Sequence, residues 1–115
     1  MEIRESKQDD VMVFRVDGRL DSNTSPSLEK RMGDAIENGT RRVVIDFRDL
    51  DYISSAGLRI ILKASKELKR NQGEIALCAI QDYVKEVFEI AGFDTFLAIT
   101  PTLEAALERV GRSLG

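Results

Sequence analysis

Short apolar runs alternate along this chain with stretches whose apolar residues recur at every third or fourth position, and that alternation constrains the fold more than any other feature. Val43-Val44-Ile45-Asp46-Phe47 and Glu74-Ile75-Ala76-Leu77-Cys78-Ala79-Ile80 are nearly continuous apolar runs, the pattern of strands covered on both faces, and Cys78 falls within that core. Thr95-Phe96-Leu97-Ala98-Ile99 reads as a further strand. Between and after them lie helical faces: Leu28, Met32, Ala35 and Ile36; then Leu58, Ile61, Leu62, Ser65 and Leu68; then Val84, Val87, Phe88 and Ala91; last Leu103, Ala106, Leu107 and Val110. Punctuation agrees with this reading. Thr24 or Ser25 caps a first helix over 26–38 with Pro26 in its first turn and Gly39 after it. Ser54 or Ser55 caps the second, which Gly73 ends; Gly92 closes the third, and Thr100-Pro101 starts the fourth. Upstream, Val11-Met12-Val13-Phe14-Arg15-Val16 runs to Asp17-Gly18 and can pair with the segment around Ile3 across Gln8-Asp9-Asp10, an N-terminal hairpin. The order β-β-α-β-α-β-α-β-α predicts an α/β fold with a mixed central sheet of about five strands and four to five helices. With 115 residues, 1–115 is expected to be a single domain.

Composition narrows the function. Seventeen basic against twenty acidic residues give a net charge of −3, leaving no positive surplus for a phosphate backbone, so no direct nucleic-acid binding is expected. The chain has no His and one Cys, which removes His-based nucleophilic triads, His-ligated metal sites and an internal disulfide. No metal or cofactor is expected. Neither a long apolar run nor a hydrophobic segment after Met1 is present, so the expectation is a cytoplasmic protein without membrane insertion.

The informative stretch is Asp46-Phe47-Arg48-Asp49-Leu50-Asp51-Tyr52-Ile53-Ser54-Ser55-Ala56-Gly57-Leu58-Arg59, a central strand leading through an acidic loop into a helix headed by two serines. Strand ends of this kind carry functional loops in open α/β sheets. Ser54 or Ser55 could serve as a cap alone, worth about 1 kcal/mol. A phosphorylated serine there would place about −1.5 to −2 charges against helix amides able to receive them. Asp21, Asp49 and Asp51, if the loops gather, would make the modified spot strongly anionic and repel a partner matched to the neutral hydroxyl.

Asp49-Leu50-Asp51-Tyr52-Ile53-Ser54-Ser55-Ala56-Gly57-Leu58 after Val44-Ile45-Asp46-Phe47 resembles the signature of STAS domains, and more closely that of bacterial anti-sigma factor antagonists. Gly18-Arg19-Leu20-Asp21 followed by Thr24 is similar to the family's G-x-L-D…T element, and Gly73-Glu74 through Ile80, followed by Val84 and Phe88, to its later strand and helix. The family's phosphorylated residue lies two positions before Gly-Leu, here Ser55, with Ser54 the fallback. Ser54 stands where the family usually has Asp, and Ala56 where it often has a hydroxyl residue.

What the resemblance implies is a non-enzymatic regulator of sigma-factor-dependent transcription by partner switching. Unphosphorylated, it binds an anti-sigma factor that is also a serine kinase; phosphorylated on Ser55, it lets go, and a PP2C-type phosphatase resets it. Asp21 and Thr24 are implied near Ser55 on a partner-binding face, with Ser22 and Asn23 at the rim and Ser54, Ala56, Gly57 and Leu58 alongside. Ile53 or Leu58 is expected to supply apolar contact; Tyr52 and Ile61 read as core, and Arg59, one helical turn past the serines, as a solvated helix charge that could instead meet a phosphate or a partner carboxylate. Two alternatives compete. One is a STAS interaction module in a stress-sensing or lipid-transport complex. The other is a small serine or nucleotide hydrolase, which the absence of G-x-S-x-G, of His and of a phosphate loop disfavours.

Overall fold

A computed structural model describes residues 2–95 and 97–111. Its elements run β1 Glu2–Gln8, β2 Val11–Leu20, α1 Ser25–Glu37, β3 Arg42–Asp46, β4 Leu50–Ile53, α2 Ser55–Arg70, β5 Glu74–Cys78, α3 Asp82–Ile90, β6 Ala98–Thr100 and α4 Leu103–Gly111, with a single 3-10 turn at Phe93–Thr95. One sheet takes the order β1-β2-β3-β5-β6, with β4 also pairing with β2. The hairpin β1–β2 is antiparallel, with Ile3 opposite Val16 and Gln8 opposite Val11; every other pairing is parallel, as strands joined by helical crossovers require.

The near-continuous apolar runs are explained by cover on both sides. Phe14, Val16, Val43, Ile45, Ile75 and Leu77 face a core filled by Leu28 and Met32 of α1, Ile60, Ile61 and Leu68 of α2, and Val84 and Phe88 of α3. Val11, Val13, Val44, Ala76 and Cys78 point the other way, against Ala106 and Val110 of α4. Asp46, next to Arg15 in the β2–β3 register and only 2% exposed, is held by Arg48 at 2.9 Å, while Arg15 pairs with Asp49. A buried carboxylate persists only with such a partner.

Several boundaries differ from the sequence reading for local reasons. β2 does not end at Asp17-Gly18: Gly18, at φ +84°, turns the chain through a bulge and the strand continues to Leu20. That added length recruits β4, a strand hidden in the sequence because its burial is apolar only at its ends, Leu50 and Ile53, with Asp51 and Tyr52 exposed between. β5 stops at Cys78 because Ala79 adopts φ +57° and gives its N–H to the Thr100 carbonyl. The last strand is Ala98–Thr100 rather than 95–99, with Thr95 in the 3-10 turn and Phe96 outside the described residues. Thr102, not Thr100, caps α4, its Oγ1 accepting from the Ala105 N–H at 3.1 Å.

Two measurements check this arrangement. Leu50 is fully buried while Asp51 is exposed, so Leu50→Ala should lower urea-measured stability by about 2–5 kcal/mol and Asp51→Ala by about 0.5 or less. Equal effects would mean that β4 does not pack. Burial, with the Asp46 carboxylate adding to it, pushes the Cys78 thiol up to about 12. The folded protein should therefore resist a thiol reagent at pH 8 and react on unfolding.

Candidate functional site

Two loops meet because two strands end together. Leu20, the last residue of β2, is the register partner of Ile53, the last of β4, and the Ser54 N–H donates to the Leu20 carbonyl at 2.9 Å. Residues 21–24, leading into α1, therefore emerge beside Ser54 and Ser55, leading into α2. Gly57 makes the closeness possible: a Cβ there would sit 2.8 Å from Ile53 Cγ1 and 3.0 Å from the Leu20 carbonyl oxygen.

The loop over 21–24 is held by its own side chains. Asp21 Oδ1 accepts from the N–H groups of Asn23 at 3.0 Å and Thr24 at 3.2 Å, and the Asp21 carbonyl accepts from Ser25 N–H at 2.8 Å. Thr24 occupies the N-cap position of α1, but its hydroxyl turns back to donate to the Arg19 carbonyl at 2.8 Å and to accept from Asp21 N–H at 2.9 Å. The expected side-chain cap by Thr24 or Ser25 is thus absent, and Asp21 organises the turn instead. The Asn23 amide, followed by Thr24 and the Arg19 charge, holds the Asp21 carboxyl below its ordinary range against the opposing effect of its partial burial. Thr24 and Asp21 brace the loop, and the exposed residues are Ser22 and Asn23.

The two serines have different jobs. Ser54, half-buried and in extended backbone, is the N-cap of α2 and accepts from Gly57 N–H at 3.4 Å. Ser55 is the first residue of α2, exposed, and its hydroxyl has no hydrogen-bond partner among the described residues. No acidic side chain occupies the first turn of α2, while Lys69 and Arg70 lie in the last. The positive end of the helix is therefore left without a charge of its own to offset it. Ala56 and Leu58 are half-buried.

The expected site residues differ in how far they reach the surface. Ile53, 4% exposed, and Gly57, buried under Leu20, lie beneath it, whereas Leu58, the other expected apolar contact, is half-buried. Tyr52, read as core, is 42% exposed and carries the Arg19 guanidinium 4.3 Å above its ring. Asp49 is engaged with Arg15 and precedes the four β4 residues, a separation of about 16 Å from Ser54 along an extended strand. Asp21 itself lies 3.7 Å from Arg19 Nε, which partly offsets its charge, while Asp51 is exposed. Arg19 is the residue that sequence reasoning passed over; its place in Gly18-Arg19-Leu20-Asp21, opposite in strand alternation to the buried Leu20, was the available signal.

Between α1 and α2, next to the serines, runs a groove of about 420 Å³ that Ser25, Glu29, Ala56, Arg59 and Lys63 help to line. Lys63 reaches Glu29 across it at 2.8 Å. Arg59 is exposed and has no ion pair among the described residues. No group of three or more His, Cys, Asp or Glu side chains among the described residues could hold a metal ion, and no helix there is long and apolar enough to cross a membrane.

The fold, with a polar loop pair at the strand ends, is that of a STAS domain. The sequence profile of that family, the STAS domain, matches residues 2–106, and the chain belongs to it. A Bordetella bronchiseptica protein described as a candidate anti-sigma factor antagonist, BtrV, is 40% identical over 106 residues, 92% of this chain and 91% of its own length. A solved structure from Thermotoga maritima, also described as a candidate anti-sigma factor antagonist, superimposes with a TM-score of 0.91 at 22% identity, covering 96% of this chain and 95% of that one. The Bacillus cell fate determinant SpoIIAA in its phosphorylated form gives 0.76 at 22% identity, covering 95% and 99%. The two structures bear on the fold alone.

Ser54→Ala should cost about 0.5–1 kcal/mol in chemical denaturation, the low end for a cap because its hydrogen bond is long. Ser55→Ala should change stability by less than about 0.5 kcal/mol. The reverse order would exchange the two roles.

Proposed function

We propose that this protein is an anti-sigma factor antagonist working by partner switching, with Ser55 as the switch. The observation that carries the reading is the contrast between neighbouring hydroxyls: Ser54 is spent on the helix cap, whereas Ser55 stands exposed and unpartnered at the start of α2. The naming of a relative 40% identical over most of both chains as a candidate antagonist supports the general role.

In this reading the unmodified face, Ser22 and Asn23 at its rim and Ser55, Ala56 and Leu58 on α2, covers an anti-sigma factor and frees its sigma factor. Asp21 and Thr24 hold that rim in shape. The anti-sigma factor is also a serine kinase: the γ-phosphoryl group of ATP passes to Ser55 Oγ, the hydroxyl proton is lost and ADP leaves. ATP and its metal belong to the kinase. The added dianion lies where the helix amides and dipole accept it, so the fold stays intact while the partner surface, matched to a neutral hydroxyl, meets uncompensated charge. A PP2C-type phosphatase reverses the change by adding water across the P–O bond, restoring the hydroxyl and releasing inorganic phosphate. The protein itself catalyses nothing and acts in the cytoplasm.

Incubation with ATP and a serine kinase encoded beside this reading frame should add one phosphate by intact mass, abolished in Ser55→Ala. Ser55→Ala should bind that kinase as the parent does, and Ser55→Asp at least tenfold more weakly by calorimetry. Modification that persists in Ser55→Ala, or equal affinity of all three proteins, rejects Ser55 as the switch.

A further inference from the structure

Arg59 has no assigned role, and its position is informative. On a helix of 3.6 residues per turn, Ser55 and Arg59 lie about 40° apart around the axis and one turn apart along it, the spacing at which side chains meet. Arg59 also lines the groove between α1 and α2. The other cation lining that groove is already engaged: Lys63 is bound to Glu29 at 2.8 Å. Arg19, the cation at the opposite side of the site, stacks on Tyr52 and lies near Asp21. A second observation is an unsatisfied hydroxyl in the groove lining. Ser25, which lines it, is 2% exposed, and its hydroxyl has no hydrogen-bond partner among the described residues. A buried donor left in this state calls for an acceptor.

We infer that Arg59 is the counter-ion of a phosphate on Ser55, drawing the modified side chain toward the α1–α2 groove. This rests on the reading of Ser55 as the modified residue and adds to it how the charge is held. The guanidinium has no ion pair among the described residues and is claimed in the modified protein. Phosphorylation thus changes the surface twice, by adding a dianion and by engaging a cation one helical turn away. Arg suits the task better than Lys because its fork meets two phosphate oxygens at once.

The test needs no kinase. Full-length protein is made with phosphoserine installed at position 55 during synthesis, and its phosphorus resonance is followed as a function of pH. A nearby cation favours the dianion, so the titration midpoint, near pH 6 for a free phosphoserine, should rise by about 0.3 pH unit in Arg59→Gln. Arg59→Lys should restore part of that shift, and Lys63→Gln should leave the midpoint unchanged. A midpoint indifferent to Arg59→Gln, or moved as far by Lys63→Gln, overturns the inference. The Arg59 Nε–H resonance supplies a measurement without any substitution: it should shift on phosphorylation, and an unchanged resonance also overturns the inference. Failure of any kinase to modify Ser55 would instead strike the switching role and leave the pairing result standing.

Discussion

The site depends on the pairing of the end of β2 with β4. One register contact, Leu20 opposite Ile53, and one hydrogen bond, Ser54 N–H to the Leu20 carbonyl, bring together two helix-leading loops that are separated in the chain by residues 25–53. Everything exposed at the surface is placed by what lies under it. Ile53 and Leu20 are buried, and Gly57 lets α2 start within contact of both. The division between the two serines follows, because the residue directly after the buried Ile53 becomes the cap and the next becomes the first turn. The polar surface has little freedom of its own; its geometry comes from the apolar layer beneath.

Most of the architecture was legible because its signals were local. Strands covered on both faces produce continuous apolar runs, and Pro26, Gly39 and Gly92 mark helix limits through backbone preferences that need no tertiary context. The strand β4 was not legible. Leu50-Asp51-Tyr52-Ile53 has neither alternation nor a continuous apolar run, and it is a strand only because the bulge at Gly18 extends β2 to meet it. The bulge was itself misread, since Asp17-Gly18 carries the composition of a turn. Likewise the shift of the last strand arises from a 3-10 turn at Phe93–Thr95 that β-rich composition conceals.

At the site, residue identity was easier to read than residue role. The loop of Asp21 and Thr24 emerges beside the one of Ser54 and Ser55, and hydrogen bonds show which of these residues are structural. Asp21 and Thr24 satisfy each other and the loop backbone, and Ser54 is tied to Gly57. Charge pairs were not legible either, because a sequence lists charges without their partners: Asp49 belongs to Arg15 and Asp21 sits near Arg19, while Asp51 stays exposed.

The pairing of a half-buried cap with an exposed neighbour also has a bearing on fidelity. In the native chain two chemically identical side chains, adjacent in sequence, are not equally available: one hydroxyl is occupied by the backbone and the other faces outward. A frayed or misfolded copy loses that distinction and presents both. The difference between the serines is thereby written into the helix start, and any enzyme selecting one of them would read the integrity of the fold along with the identity of the residue.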